Sequence, residues 1–143
     1  MSNLTKQKNK AAFQDLGNRM YFVETVINYA TELPTAADTY ALFDLPVGAV
    51  VLDQRTCILV DASGTLTVDI GDEDTANLFD NDINMHTTAG TWYYTTKGTD
   101  TGASGKGYSA SKEVRMLMNH TVTTGKAYIC MLYAISDKAS SLV

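Results

Sequence analysis

The chain has few charges, few cysteines and no long apolar run. Charged residues make up 19% of its 143 residues, while apolar residues make up 45%. This length predicts one domain, and a domain of this size buries enough apolar surface to fold without a metal or a disulfide framework. The composition is that of a globular protein, and its low charge favours a surface that is partly covered by neighbouring molecules.

Two cysteines, Cys57 and Cys130, are too few for a disulfide framework. Both lie in apolar runs, so we expect two small buried hydrophobic side chains, with a disulfide between them as the alternative. No run of about 18 or more apolar residues is present, so no segment is predicted to span a membrane. Residues 1–19 lack the apolar core of a signal peptide. We therefore expect synthesis in the cytoplasm and no contact with a membrane.

Charge is unevenly distributed along the chain. The charged residues of segment 1–19 are Lys6, Lys8, Lys10 and Arg19, against Asp15. This segment therefore carries +3, and the total of −5 leaves −8 for residues 20–143. Because an acidic body argues against a groove for nucleic acid, we expect no specific nucleic-acid binding. The basic segment suits attraction to an acidic protein surface or, through charge alone, to nucleic acid. A solvated N-terminal tail is the alternative.

These features divide the chain into an N-terminal arm, residues 1–19, and a domain, residues 20–143. Phe13 and Leu16 are three residues apart, a spacing at which side chains meet on one side of a helical turn. They would give the arm an apolar anchor beside its cations. We therefore expect the arm to reach onto a neighbouring subunit during assembly.

From residue 20 onward, apolar and polar residues alternate in short runs between turn residues. Such runs predict an all-β sandwich of about eight strands. The clearest runs are residues 21–29, 39–45, 50–60, 65–70, 91–97, 114–118 and 126–135. The residues predicted to contribute most to stability are Val51, Ile58, Leu66, Val68, Ile129 and Met131.

The short turn at residues 62–64 joins two of the predicted strands. Its length predicts that residues 50–60 and 65–70 pair as an antiparallel hairpin. In the run 126–135 both faces are apolar, which predicts a strand in the centre of a sheet. In the run 39–45, alternation places Ala41 on the same face as Phe43 and Leu45.

Residues 71–90 break the alternating pattern. They are acidic and irregular, and we predict a long loop there. The substantial apolar anchors of this loop are Leu78, Phe79 and Ile83.

No set of residues predicts an active site. His86 and His120 lie near turns without a patterned partner, and no Gly-x-Ser-x-Gly motif is present. Residues 102–107 lack the Gly-Lys-Ser/Thr ending of a phosphate-binding loop, and no cysteine or histidine pair has zinc spacing. We predict a protein that is not an enzyme and that has no catalytic residue, no cofactor and no metal.

The acidic segment 69–74 is the stretch whose residue types best suit ion binding. Its carboxylates, with those of Asp80 and Asp82, are ligands of the type that calcium prefers. The spacing differs from that of an EF-hand loop, because the final glutamate is missing. We interpret the segment as a solvated acidic loop that discourages edge-to-edge aggregation, and we expect no need for calcium.

The aromatic run Trp92-Tyr93-Tyr94 suits either an interface or a sugar platform. Alternation places Tyr93 on the opposite face from Trp92 and Tyr94. Core packing together with a protein interface is the interpretation that we prefer. The predicted interface residues are Lys6, Lys8, Lys10, Phe13, Leu16, Arg19, Trp92, Tyr93 and Tyr94.

Four segments of the chain resemble small virion proteins of tailed bacteriophages. In those proteins a strand ends in a Leu-Pro-x-Gly turn that is followed by a long strand, and residues 41–52 resemble this element. Residues 66–72 resemble a second element, an alternating strand that ends in Gly-Asp. Residues 108–110 and the turn at 123–128 continue the likeness, which extends from about Val23 to Tyr133. The resemblance consists of turns and strands, without a catalytic signature.

This resemblance implies a jelly-roll-like sandwich and a structural role on the phage capsid, as a decoration (cement) protein or a head-fibre-like component. The implied partners are the major capsid protein or other virion proteins, and further copies of the chain in a homo-oligomer. The implied location is the virion, assembled in the host cytoplasm. The alternative is a carbohydrate-binding or host-attachment module that uses Trp92, Tyr93 and Tyr94 with the loop 98–107.

Overall fold

The computed structural model describes residues 19–94 and 107–135. Within these residues, alternating runs form strands and turn residues separate them. The elements are β1 (Arg19–Asn28), α1 (Tyr29–Glu32), β2 (Thr39–Leu45), β3 (Ala49–Val60), β4 (Thr67–Asp72), β5 (Asp80–Asn84), β6 (Trp92–Tyr94), β7 (Lys112–Met118) and β8 (Lys126–Ile135). No helix in the described ranges is long and apolar enough to cross a membrane.

The strands form two four-stranded antiparallel sheets. The front sheet has the order β1-β8-β3-β6, and the back sheet has the order β2-β7-β4-β5. Eight strands that cross between two sheets in this way form a jelly roll. The predicted all-β, jelly-roll-like sandwich is confirmed. The predicted central strand, β8, lies between β1 and β3.

The core lies between the inner faces of the two sheets. All six residues predicted to stabilise the domain are buried in it, with at most 1% of their surface exposed. Val114, Met116 and Met118 of β7 line the same core from the back sheet. The predicted core residues therefore located the inner face correctly in β4 and β8.

The predicted hairpin between residues 50–60 and 65–70 is wrong. β3 pairs with β8 and β6 in the front sheet, whereas β4 pairs with β7 and β5 in the back sheet. Both edges of β3 are occupied, so the turn at residues 62–64 carries the chain across the sandwich. Backbone hydrogen bonds from Ala62 N to Met85 O (3.0 Å) and from Ser63 N to Thr124 O (3.2 Å) hold this crossing.

The predicted long loop at residues 71–90 is wrong in part, because it contains β5. Val68 of β4 pairs with Ile83 of β5 at the edge of the back sheet. Ile83 is the only large apolar side chain in β5 (Asp80–Asn84), so no alternation marks the strand. The predicted anchors are confirmed, since Leu78, Phe79 and Ile83 are buried.

A β-bulge corrects the predicted face of β2. The register shifts between Ala41 and Phe43, so Ala41 pairs with Arg115 on the outer face while Phe43 pairs with Val114 on the inner face. Phe43 packs against the core and Leu45 is buried, but Ala41 is exposed. An extra residue in one strand reverses the alternation beyond it.

Candidate protein-binding surface

The outward-facing side of the front sheet, called the front face below, is rich in apolar side chains. Cross-strand pairing puts Phe22 beside Leu132, and Val26 beside Tyr128, on this side of the sheet. Five large apolar side chains of the front face are each between 43% and 58% exposed: Met20, Phe22, Val26, Trp92 and Tyr94. Large exposed apolar side chains gathered on one side of a sheet are typical of an interaction site.

A groove of about 420 Å³ runs across the centre of the front face. It is called the aromatic groove, and its lining residues are Phe22, Asp53, Arg55, Trp92, Tyr94, Tyr128, Cys130, Met131 and Leu132. The strand register explains the set, because Arg55 of β3 pairs with Cys130 on one side and with Tyr94 on the other. All four strands of the front sheet contribute, so the groove is built on regular structure.

The charged side chains of the groove pair within the chain. Arg55 Nε lies 2.7 Å from Asp53 Oδ2, and the guanidinium lies 4.7 Å from the centre of the Tyr94 ring, within cation–π range. Such internal pairs allow the surface to be covered by another chain without leaving a buried charge unpaired.

Tyr128 is held in the groove from two sides. Its hydroxyl donates a hydrogen bond of 2.6 Å to Glu24 Oε1, and its ring meets the Trp92 ring edge-on at 6.0 Å between centroids. The hydrogen bond to Glu24, with some burial, raises the pKa of Tyr128 above its usual value. The hydrogen bond to Glu24 and the contact with Trp92 together keep the ring in place.

The outer side of the back sheet has a different character. It carries an ion pair of 2.7 Å between Arg115 Nε and Glu113 Oε1, and at the start of β7 Lys112 Nζ lies 2.7 Å from Asp74 Oδ2. A backbone N–H of Glu113 also donates to Glu73 Oε1 at 2.9 Å. Because this side is charged and the front face is apolar, the front face is the stronger candidate for a buried interface.

The carboxylate of Asp72 organises the acidic segment. Asp72 Oδ1 accepts from the backbone N–H groups of Asp74 (2.9 Å) and Thr75 (2.8 Å), and Oδ2 accepts from the hydroxyl of Tyr108 (2.9 Å). Burial, with the hydrogen bond to Asp72, raises the pKa of Tyr108. Asp72 is thus a buried cap of a turn. Among the described residues, no group of three or more acidic, histidine or cysteine side chains is arranged to hold a metal ion.

We expect the melting temperature to be the same in excess calcium and in excess chelator, because protein donors already occupy the Asp72 carboxylate. Differential scanning fluorimetry measures this directly. A ligand at about 100 times its Kd that binds only the folded form adds about 2.7 kcal/mol. A rise of several degrees with calcium would therefore contradict the prediction, and magnesium at equal ionic strength is the control.

The structure separates the predicted interface residues into three groups. Trp92 and Tyr94 line the aromatic groove, whereas Tyr93 points inward and donates to the carbonyl of Asn84 at 3.2 Å. Arg19 is the first residue of β1. The arm residues lie outside the described residues: Lys6, Lys8, Lys10, Phe13 and Leu16. The interface role of all nine residues stays a prediction.

Sequence reasoning missed Phe22, Tyr128, Cys130 and Leu132 as members of the surface. The available signal for this surface was the apolar character of both faces of residues 126–135. That signal predicted a central strand, but it did not indicate which of its faces would stay exposed. Cys57 and Cys130 are free and buried, which confirms the prediction of two small buried hydrophobic side chains. His86 and His120 are exposed.

Solved structures of phage capsids contain chains with a similar fold. A chain of the cyanophage Pam1 capsid asymmetric unit is 20% identical, with a TM-score of 0.60 over 94% of this chain and 97% of its own length. A chain of the Ralstonia phage GP4 capsid has 20% identity and a TM-score of 0.56, covering 90% of this chain and 91% of its own. A chain of the acid-stable capsid of Helicobacter pylori bacteriophage KHP30 has 22% identity and a TM-score of 0.52, covering 81% and 87%. No family model and no curated protein sequence matches the chain.

Proposed function

We propose that this chain is a structural protein of a phage particle, which packs on the capsid and stabilises or decorates it through protein–protein contacts. The observation that carries the proposal is the front face, an open apolar surface on a jelly roll. Its partners would be the major capsid protein or other virion proteins. The likeness in fold to chains of three phage capsid structures supports the same proposal.

The chemistry of the groove agrees with binding rather than catalysis. Cys130 is its one thiol, and burial raises the pKa of this group. A thiol that stays protonated at neutral pH is a poor nucleophile. The aromatic side chains and the arginine of the groove are instead the residue types that contribute most energy to protein interfaces.

A carbohydrate-binding module is the second candidate, since Trp92 and Tyr94 are exposed aromatic residues on one face. The contacts of the groove favour it less. Arg55 lies over the ring of Tyr94 and so covers a face that a sugar would stack on. Phe22 and Leu132 line the groove nearby, and their side chains offer sugar hydroxyls no hydrogen bond.

The test is to find the chain in native particles. We expect electron cryo-microscopy of particles produced by the source genome to show the jelly roll bound to the shell, with the front face covered by protein. Mass spectrometry of purified particles is the control for its presence. Absence of the chain from the particles would contradict the proposal. Binding of glycans to the isolated protein, abolished by Trp92→Ala, would favour the second candidate instead.

A further inference from the structure

We infer that the aromatic groove receives the N-terminal arm, residues 1–18, of a second copy of this chain. The inference rests on the proposed function, because it names a partner for the surface that carries that proposal. It links a groove that is open in the described residues to a segment whose composition suits it.

The arm joins the described domain at the border of the front face. It ends where β1 begins, at Arg19, and β1 is an edge strand of the front sheet. Met20 and Phe22, the first exposed apolar residues of β1, already belong to the front face. A segment of 18 residues reaches about 60 Å when extended, whereas four strands span roughly 15–20 Å. An arm can therefore cross from one copy to the groove of the next.

Charge favours this occupant over a neutral or acidic one. The arm carries Lys6, Lys8 and Lys10 against Asp15, which makes +2 for residues 1–18, while residues 20–143 carry −8. Beside the groove, Glu24 accepts only the hydroxyl of Tyr128 among the hydrogen bonds described for it. Its carboxylate has further acceptor sites for an ammonium group. A lysine that reaches Glu24 would add an ion pair at the rim, where water still solvates it.

The apolar residues of the arm match the walls of the groove. Phe13 and Leu16 are the large apolar side chains nearest its C-terminal end, and Phe22, Trp92 and Leu132 line the groove. An aromatic anchor that enters an apolar pocket is the usual centre of binding energy at an interface. The cations would then lie at the polar rim around that centre.

A second copy suits the geometry better than the arm of the same chain. β1 runs from Arg19 along the groove towards Asn28, so the chain's own arm would have to reverse at once to cover the same face. Gly17-Asn18 is a sequence that permits such a hairpin turn. The arm of a neighbouring copy is not bound to the direction that β1 takes from Arg19 on the copy whose groove it enters. The intramolecular arrangement is therefore the main outcome that the experiment has to separate from the proposal.

The experiment pairs two full-length variants. The arm variant, Phe13→Ser with Leu16→Ser, keeps an intact groove. The groove variant, Phe22→Ser with Leu132→Asn, keeps an intact arm. Phe22 is 58% exposed and Leu132 is partly exposed, so we expect the groove variant to fold. The matched control is the double variant Val47→Ser with Leu117→Asn. Val47 is 54% exposed and lies outside the groove, and Leu117 lies on the outer side of the back sheet.

We expect each variant alone to lose about ten-fold or more in its self-association constant, which corresponds to about 1.4 kcal/mol. An equimolar mixture should recover association, because each intact arm finds an intact groove. Sedimentation velocity measures the association. The emission of Trp92, the single tryptophan, reports cover of the groove by a shift to shorter wavelength. The control variant should behave like the unmodified chain.

Three results would overturn the inference. One is a mixture that fails to associate although the unmodified chain does. Another is an unmodified chain that stays monomeric but emits at shorter wavelength than the arm variant, because the arm then covers the groove of its own chain. The third is a control variant that weakens association as much as the groove variant. Circular dichroism checks folding, and Phe22→Ser alone replaces the groove variant if that variant is unfolded. The particle test is independent, since the presence of the chain in particles does not require that arms bind grooves.

Discussion

Replacing Gly71 by alanine is expected to cost about 3–5 kcal/mol of unfolding free energy, although the change adds one methyl group. A Cβ at this position of β4 would lie 1.9 Å from Thr75 O and 2.5 Å from the carbonyl carbon of Ala76. Both are backbone atoms, so no side chain can move aside. Thr75 is also tied to Asp72, since Asp72 N donates to Thr75 O at 3.0 Å.

Gly64→Ala is the matched control for this prediction. Gly64 has a φ of +68°, but nothing lies within 4 Å of a Cβ built there. The substitution therefore incurs the left-handed backbone penalty alone, about 1–2 kcal/mol. Urea denaturation of the three proteins measures the difference. Equal losses at the two positions would show that the chain after β4 does not pack against Gly71 as described.

Ile129→Ala is expected to cost about 2–5 kcal/mol. Ile129 is fully buried at the middle of β8, between Thr25 of β1 and Thr56 of β3. The truncation removes apolar contacts and leaves a cavity that rigid strands on both sides cannot close, which adds to the lost transfer free energy.

Val26→Ala provides the comparison, because Val26 lies in the same sheet but is 50% exposed on the front face. A change at such a surface position is expected to alter stability by about 0.5 kcal/mol or less. Urea denaturation gives both changes in unfolding free energy from the shift of the denaturation midpoint, provided that the dependence of the free energy on urea concentration stays the same. A loss below about 1 kcal/mol for Ile129→Ala would mean that β8 is wrongly oriented in the sandwich.

The predicted strands and core residues came from period-2 alternation, and several of them agree with the structure. β8 was predicted at the residues it occupies, and Val68 and Ile129 were correctly expected in the core. The candidate site was predicted less completely. Trp92 and Tyr94 were identified, but their partners from β1 and β8 were not. Those side chains belong to strands far apart in sequence, so only pairing brings them together.

From the sequence alone it follows that this chain forms many short strands and packs them as a sandwich. The tertiary structure decided which strands pair and which faces remain open. β3 shows the physical reason. Val51 and Ile58 both point into the core, although simple alternation would place positions of opposite parity on opposite faces. A register shift between Val51 and Asp53 against β8 resolves this. Such a bulge depends on the neighbouring strand, so it leaves no local pattern in the sequence. Yet the bulge decides which side chains of β3 enter the core and which lie on the front face.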